Sequence, residues 1–187
     1  MNTGNWTIKV TKNLPQKIAF AFAEPFVVGV RYDPIAYLGQ QLVNGLNHAV
    51  LATQTSVPEY DWVNLVIMIF NERPGKMDVS LVGVNPIIET DGLLGHVEIN
   101  PTCKIAEKEK KIWDEAFEEF VGSIIEPFAF IGKQETESTN YVFAATIRSF
   151  EGKNEKAVLV TINPLLKKVS INDLLNNKPG FGYAFNW

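Results

Sequence analysis

The sequence repeats itself at an interval of 93 residues, and this internal repeat constrains the fold more than any other feature of the chain. Residues 33–41 match residues 126–134, and the match continues without a gap to Ile69, which falls opposite Ile162. A self-match of this length indicates one structural unit that is present twice. The repeat therefore predicts two domains, residues 1–92 and residues 93–187, the second of which ends in an aromatic tail.

The aligned pairs support the repeat because many of them are identical or keep their shape. Nine of the 37 pairs are identical, namely Pro34/Pro127, Ala36/Ala129, Gly39/Gly132, Gln41/Gln134, Asn47/Asn140, Ala52/Ala145, Thr53/Thr146, Ser56/Ser149 and Ile69/Ile162. At two further pairs, Tyr37/Phe130 and His48/Tyr141, one ring replaces another. Each copy can therefore be used to interpret the other.

Each copy contains one predicted helix among several predicted strands. Residues 105–124 place their apolar side chains at the 3.6-residue period of an amphipathic helix. The equivalent segment around Ile18 is interpreted as a helix because its counterpart is one, with Pro15 near its first turn. A short strand precedes each helix, and four extended runs follow it. The predicted fold class is therefore α+β, with one helix packed on a curved antiparallel sheet in each domain.

Composition and charge narrow the classes of partner. The chain of 187 residues is 46% hydrophobic and carries a formal net charge of −4, which is typical of a globular protein and argues against nucleic-acid binding. No apolar run approaches the ~20 residues of a membrane span, so no membrane partner is expected. The N-terminus lacks a basic segment followed by an apolar run, which predicts a cytoplasmic protein.

The residues that usually carry catalysis or bind metals are isolated along the chain. Cys103 is the single cysteine, and His48 and His96 have no ligand-spaced neighbour in the sequence. No glycine-rich phosphate loop is present. The sequence therefore predicts no catalytic residue, no metal site and no cofactor, and hence a protein that is not an enzyme.

A short motif in the first copy resembles a known family. Gln41, Val43 and Gly45 have the spacing of the first hairpin loop of cystatins, which inhibit papain-like cysteine proteases. The motif lies after one predicted helix and one strand, where a cystatin has it. The resemblance implies two tandem cystatin-like domains and a loop that enters a protease cleft together with the N-terminal segment. Carried over by position, the implied binding residues are Gly4, Gln41, Leu42, Val43, Asn44 and Gly45.

The chain departs from the cystatin pattern at two loops. The second hairpin loop, residues 71–76, is charged and lacks the tryptophan of the family, and the first loop of the second copy has two glutamates and no glycine. Only the first copy is therefore expected to bind a protease. An alternative interpretation remains open, in which Gln41 and Gly45 shape the hairpin bend and Val43 packs inward.

Three functions follow from these patterns. The leading prediction is a non-enzymatic protein-binding module that resembles cystatin-type inhibitors, with either a papain-like cysteine protease or further copies of itself as the partner. The alternative is a structural or assembly subunit of a phage or bacterial particle, supported by the aromatic tail of residues 181–187. The third is a small-ligand pocket in a cone-shaped α+β fold.

Overall fold

The computed structural model of the chain separates into two units of antiparallel β-sheet, Met1–Gly92 (unit 1) and Leu93–Trp187 (unit 2). The residues that it describes are 4–23, 28–57, 62–75, 79–90, 97–152 and 154–176, together with the backbone of 182–186.

Unit 1 consists of a five-stranded sheet and one short helix. Its elements in chain order are β1 (Thr7–Thr11), α1 (Gln16–Ala23), β2 (Val30–Leu42), β3 (Leu46–Ser56), β4 (Val63–Glu72) and β5 (Val79–Ile88). The strands are arranged in the order β1-β2-β3-β4-β5, so every strand pairs with its neighbours in the sequence.

Unit 2 repeats this order and adds one strand. Its elements are β6 (Val97–Thr102), α2 (Glu107–Phe117), β7 (Ser123–Glu135), β8 (Thr139–Ser149), β9 (Lys156–Asn163), β10 (Lys168–Asp173) and β11 (Gly182–Asn186). The sheet runs β11-β10-β9-β8-β7-β6. The described backbone of the aromatic tail forms an edge strand, because β11 pairs antiparallel with β10.

Each helix covers a cluster of side chains on one face of its sheet. In unit 1, Ile18 of α1 is fully buried against residues from β2, β3 and β4, namely Tyr37, Val50, Ala52, Val66, Met68 and Phe70. In unit 2, Trp113 and Ala116 of α2 are buried in the corresponding cluster, and the Trp113 ring lies 5.2 Å from that of Phe143. Burial of each large apolar side chain contributes roughly 1.5–3 kcal/mol to folding.

The predicted fold class, α+β with one cystatin-like helix packed on a curved sheet in each domain, is wrong because the chain is mainly β. Strand accounts for 60% of the residues that the structure describes, whereas α1 and α2 have only 8 and 11 residues. The central strands are buried on the face opposite the helix as well, as Leu51 of β3 and Ile67 of β4 show. Strands buried on both faces have continuous apolar runs, and these runs carry most of the core. No helix in the described ranges is long and apolar enough to cross a membrane.

The two units share the register of their first long hairpin. Gly39 pairs with Ala49 in unit 1 and Gly132 with Val142 in unit 2, and both hairpins have β-bulges at the same two places. At both glycines a Cβ atom would clash with the backbone of the first strand, at Thr7 in unit 1 and Glu98 in unit 2. The repeated glycine is therefore required for the close approach of two strands.

The ungapped sequence match goes out of register by one residue before β4 and β9, the last strands that it covers. His48 pairs with Phe70, whereas its equivalent Tyr141 pairs with Ile162, so Phe70 and not Ile69 corresponds to Ile162. A shift of one residue moves a side chain to the other face of the sheet. Phe70 and Ile162 are both fully buried on the helix-facing side, as the corrected alignment requires.

Candidate functional site

The turn between β2 and β3 carries the three central residues of the predicted site. The backbone N–H of Val43 donates a hydrogen bond to the carbonyl oxygen of Gly45 over 3.0 Å. Asn44 and Gly45 have positive φ angles of 49° and 116°, conformations that asparagine and glycine adopt most readily. Leu42, just before the turn, is 73% exposed, and Asn44 is exposed as well. The turn therefore projects an apolar and an amide side chain from the end of the hairpin.

The N-terminal segment lies against this hairpin. The side-chain amide of Gln41 donates a hydrogen bond of 2.5 Å to the carbonyl oxygen of Gly4. A Cβ atom at Gly4 would lie 2.7 Å from the carbonyl oxygen of Leu42, so a larger residue would push the segment away. Gly4 and the turn, which are about forty positions apart in the sequence, are thus in backbone contact.

The end of β4 forms the third part of the same surface. A Cβ atom at Gly45 would lie 2.6 Å from the carbonyl oxygen of Glu72 and 3.1 Å from Nδ2 of Asn71. That amide donates a hydrogen bond of 2.6 Å to Oδ1 of Asn47 in β3. Arg73, beyond Glu72, is exposed. Lys76, the last residue of the predicted second loop, lies outside the described residues.

The structure thus brings all six predicted site residues to one end of unit 1. Three of them also have structural roles, since Gly4, Gln41 and Gly45 make the contacts that hold this end together. Leu42, Val43 and Asn44 form the outer part, with Val43 half-buried. We call the surface formed by Gly4, residues 41–45 and residues 72–73 the three-segment end.

A buried chain of polar groups lies behind the three-segment end, and sequence reasoning missed it. The hydroxyl of Tyr37 and Nδ1 of His48 are 3.0 Å apart, and Nε2 of His48 is 3.6 Å from Oε2 of Glu72. Lys17 of α1 donates a hydrogen bond to the other carboxylate oxygen of Glu72. Nε2 of His48 is buried and has no hydrogen-bond partner among the described residues. Glu72 therefore contacts the turn through its carbonyl oxygen and the imidazole through its carboxylate.

The pKa values of these buried polar groups are shifted by burial and by Lys17. Burial raises the pKa of Tyr37 to about 12. Burial also lowers the pKa of His48, although the nearby carboxylate of Glu72 acts in the opposite direction. The hydrogen bond from Lys17 lowers the pKa of Glu72. At neutral pH we therefore expect a neutral imidazole beside a carboxylate that is paired with Lys17.

The two ring positions of this cluster differ between the copies. Tyr37 and His48 of the first copy become Phe130 and Tyr141 in the second, so both ring positions change together. In unit 2 the polar contact is replaced by packing, and the ammonium group of Lys133 lies 5.6 Å from the centre of the Tyr141 ring. Most aligned pairs differ between the copies, so the sequence alone did not single out these two positions.

Unit 2 has an open surface pocket of about 270 Å³. It is lined by residues from β6, α2 and β7, among them Glu109 and Lys133, whose charged groups are 3.7 Å apart. Ligand pockets usually measure about 300–1,000 Å³ and are largely apolar. The small-ligand function therefore stays a prediction from the sequence, and we build no proposal on this pocket.

Metal ligands and known relatives give no further guidance. Within the part of the chain that the structure describes, no three His, Cys, Asp or Glu side chains are grouped to hold a metal ion. No known protein family, curated protein or solved structure matches the chain. The likeness to cystatins therefore rests on the sequence motif alone.

Proposed function

We propose that the chain is a non-enzymatic protein-binding module and that it contacts its partner through the three-segment end of unit 1. The observation that carries this proposal is the meeting of Gly4, the 43–45 turn and the end of β4, three segments that are far apart in the sequence. Their contacts hold the backbone that carries the exposed Leu42 and Asn44, so little backbone freedom is lost on binding.

The chemistry of this surface suits insertion into a cleft. Leu42 offers an exposed apolar side chain, and Asn44 offers an amide that can donate and accept hydrogen bonds. The Cβ positions of Gly4 and Gly45 face backbone oxygens of this same surface, so both glycines allow its three segments to pack closely. A papain-like cysteine protease, the partner that the sequence motif implies, has a cleft of this kind and is the first partner to test.

A variant that tests the proposal must remove a contact with the partner and leave the turn intact. Gly45→Trp would disturb the turn itself, because the side chain would meet the carbonyl oxygen of Glu72 and would require an unfavourable φ angle. Loss of binding in that variant would therefore not distinguish a lost contact from a lost turn. Leu42→Asp is the better choice, since Leu42 is 73% exposed and its replacement leaves the turn geometry intact.

The experiment is titration of the full chain against papain, with binding and residual protease activity as the two measurements. We expect the parent protein to bind papain and Leu42→Asp to bind about tenfold or more weakly, as for a central interface residue. Val121→Asp, at a position that is 84% exposed in unit 2, is the control and should bind like the parent. Absence of binding by the parent would exclude papain-like proteases, and equal binding by Leu42→Asp would exclude the turn.

The alternative of an assembly subunit stays a prediction from the sequence. That alternative was based on the aromatic tail, which would be covered by another chain in an assembly. The described backbone of residues 182–186 pairs with β10 of the same chain. We therefore do not propose that function.

A further inference from the structure

The turn between β9 and β10 carries two large apolar side chains at its tip. Leu165 is 73% exposed and Leu166 is 63% exposed. Short turns between strands are usually built from Gly, Pro, Asn, Asp and Ser, because these residues suit the backbone geometry and interact well with water. Adjacent leucines at this place expose apolar surface that the turn itself does not require. We call residues 164–167 the leucine turn.

The leucine turn is held in one conformation by Asn163 at the end of β9. The side-chain carbonyl of Asn163 accepts a hydrogen bond of 2.9 Å from the backbone N–H of Leu166. Its amide group donates hydrogen bonds of 2.7 Å to Oδ1 of Asn140 and to Oγ of Ser138. Asn163 is only 6% exposed, so these bonds are shielded from water. The leucines are therefore presented on a preorganised support, which reduces the entropy lost on association.

Charges of opposite sign lie on the two sides of the leucines. The order of the sheet places the turn between β7 and β8, with the exposed Glu135 and Glu137, on one side. The exposed Lys167 and Lys168 lie on the other side, at the start of β10. The hydrogen bond between Asn163 and Ser138 joins the two turns into one surface. Basic, apolar and acidic side chains therefore follow one another along this end of unit 2.

A surface with this order is complementary to itself. A two-fold rotation about an axis through the apolar centre places the acidic side of one copy opposite the basic side of the other, and the leucines against each other. We propose that the leucine turn of unit 2 forms a two-fold symmetric contact with the leucine turn of a second copy of this chain. This contact is separate from the three-segment end of unit 1, and it would give the dimer two partner-binding ends.

The size of the surface limits the strength of the contact. Two turns per copy bury less than the ~1,200 Å² that stable interfaces usually need. The dimer should therefore dissociate in the micromolar to millimolar range. Because the flanking charges are exposed, salt should weaken the association.

Sedimentation equilibrium of the full chain, from micromolar to millimolar concentration, tests the proposal. We expect a reversible monomer–dimer equilibrium that weakens with added sodium chloride and is lost in the double variant Leu165→Asn, Leu166→Asn. Both leucines are exposed, so an unchanged melting temperature should accompany the loss. Val121→Asn is the control and should associate like the parent. A parent chain that stays monomeric at millimolar concentration, or a leucine variant that still dimerises, would overturn the proposal.

Charge reversal provides an independent check of the two-fold geometry. Glu137→Lys alone and Lys167→Glu alone should each raise the dimer dissociation constant about tenfold at low salt, because each places like charges opposite one another twice. The double variant should restore the parent value, since the opposite charges again face each other. Failure of the double variant to recover would contradict the two-fold arrangement. A monomeric chain that instead co-sediments with vesicles of phosphatidylcholine and phosphatidylglycerol would assign the leucines to a membrane surface and also overturn the proposal.

Discussion

The first hairpin turns of the two units occupy equivalent positions but are stabilised differently. In unit 1 the turn depends on Gly45, whose φ angle is 116° and whose backbone touches the end of β4. In unit 2 the equivalent residue is Ser138. Its carbonyl oxygen accepts a hydrogen bond from the backbone N–H of Thr136, as in unit 1, and a second one of 2.9 Å from the Thr136 hydroxyl. The strand register is the same in both units, so turns can diverge while the sheet is retained.

The rings behind the two turns differ in the same way. Unit 1 has the hydrogen-bonded pair of Tyr37 and His48, whereas unit 2 has Phe130 and Tyr141 at these positions. Only the first pair contains an imidazole, and burial lowers the pKa of that group from its ordinary value of 6.5. The comparison indicates that the repeat preserves the shape of the core and varies its chemistry beneath the turn.

The largest expected effect tests the one-residue shift between the repeats. Phe70→Ala and Ile162→Ala should each lower the free energy of unfolding by about 3–5 kcal/mol, because both remove a fully buried side chain. Ile69→Ala should cost about 1 kcal/mol, since Ile69 is only partly buried. Urea denaturation of the three variants measures these differences. Equal losses for Ile69→Ala and Ile162→Ala would restore the ungapped alignment and contradict the observed pairing.

Valine substitutions at the equivalent positions Gly45 and Ser138 should lower the free energy of unfolding by different amounts. We expect Gly45→Val to lower the free energy of unfolding by about 3 kcal/mol, since valine disfavours the positive φ angle and would meet the carbonyl oxygen of Glu72. Ser138→Val should cost about 1 kcal/mol through the lost hydrogen bond to Asn163. Urea midpoints at neutral pH compare the two variants. Similar losses would show that the turns are not distinct.

The smallest expected effect is a pH dependence that belongs to unit 1. The folded state lowers the pKa of His48 from its ordinary value of 6.5, so the unfolded chain binds the proton more readily. The stability that depends on neutral His48 is therefore complete above pH 6.5 and is lost as the pH falls below that value. Glu72, whose pKa is also lowered, adds a further loss only below its ordinary value of 4.5.

The variant that tests this pH dependence replaces the two rings of unit 1 with those at the equivalent positions of unit 2. Tyr37→Phe combined with His48→Tyr should remove the loss of stability between neutral pH and pH 5, while the parent becomes less stable over the same range. Thermal melting at a series of pH values measures both proteins. His96→Gln serves as a control for the chain's other histidine and should behave like the parent. A parent whose melting temperature does not fall on mild acidification would contradict the assignment to His48.

Much of the strand order could be predicted from the sequence, because local patterns determine it. The repeat correctly predicted a strand, a helix and four strands in each copy. The fold class was wrong because two helical patterns were given too much weight relative to long strands buried on both faces. Continuous apolar runs such as residues 65–70 suit either a buried strand or a buried helix, and periodicity alone does not show how both faces of a sheet are covered.

The candidate site also has one part that the sequence predicts and another that only the tertiary structure shows. By itself the sequence determined the position of the hairpin turn, because Asn44 and Gly45 carry the backbone preferences that a tight turn needs. Only the tertiary structure brought Gly4 to Gln41 and placed Glu72 beneath Gly45, since these contacts join strands that are distant in the sequence. The same holds for the chain from Tyr37 through His48 and Glu72 to Lys17, which spans four separate elements. Local preferences can be read from neighbouring residues, whereas contacts between distant segments depend on how the whole sheet aligns its strands and on which groups that alignment removes from water.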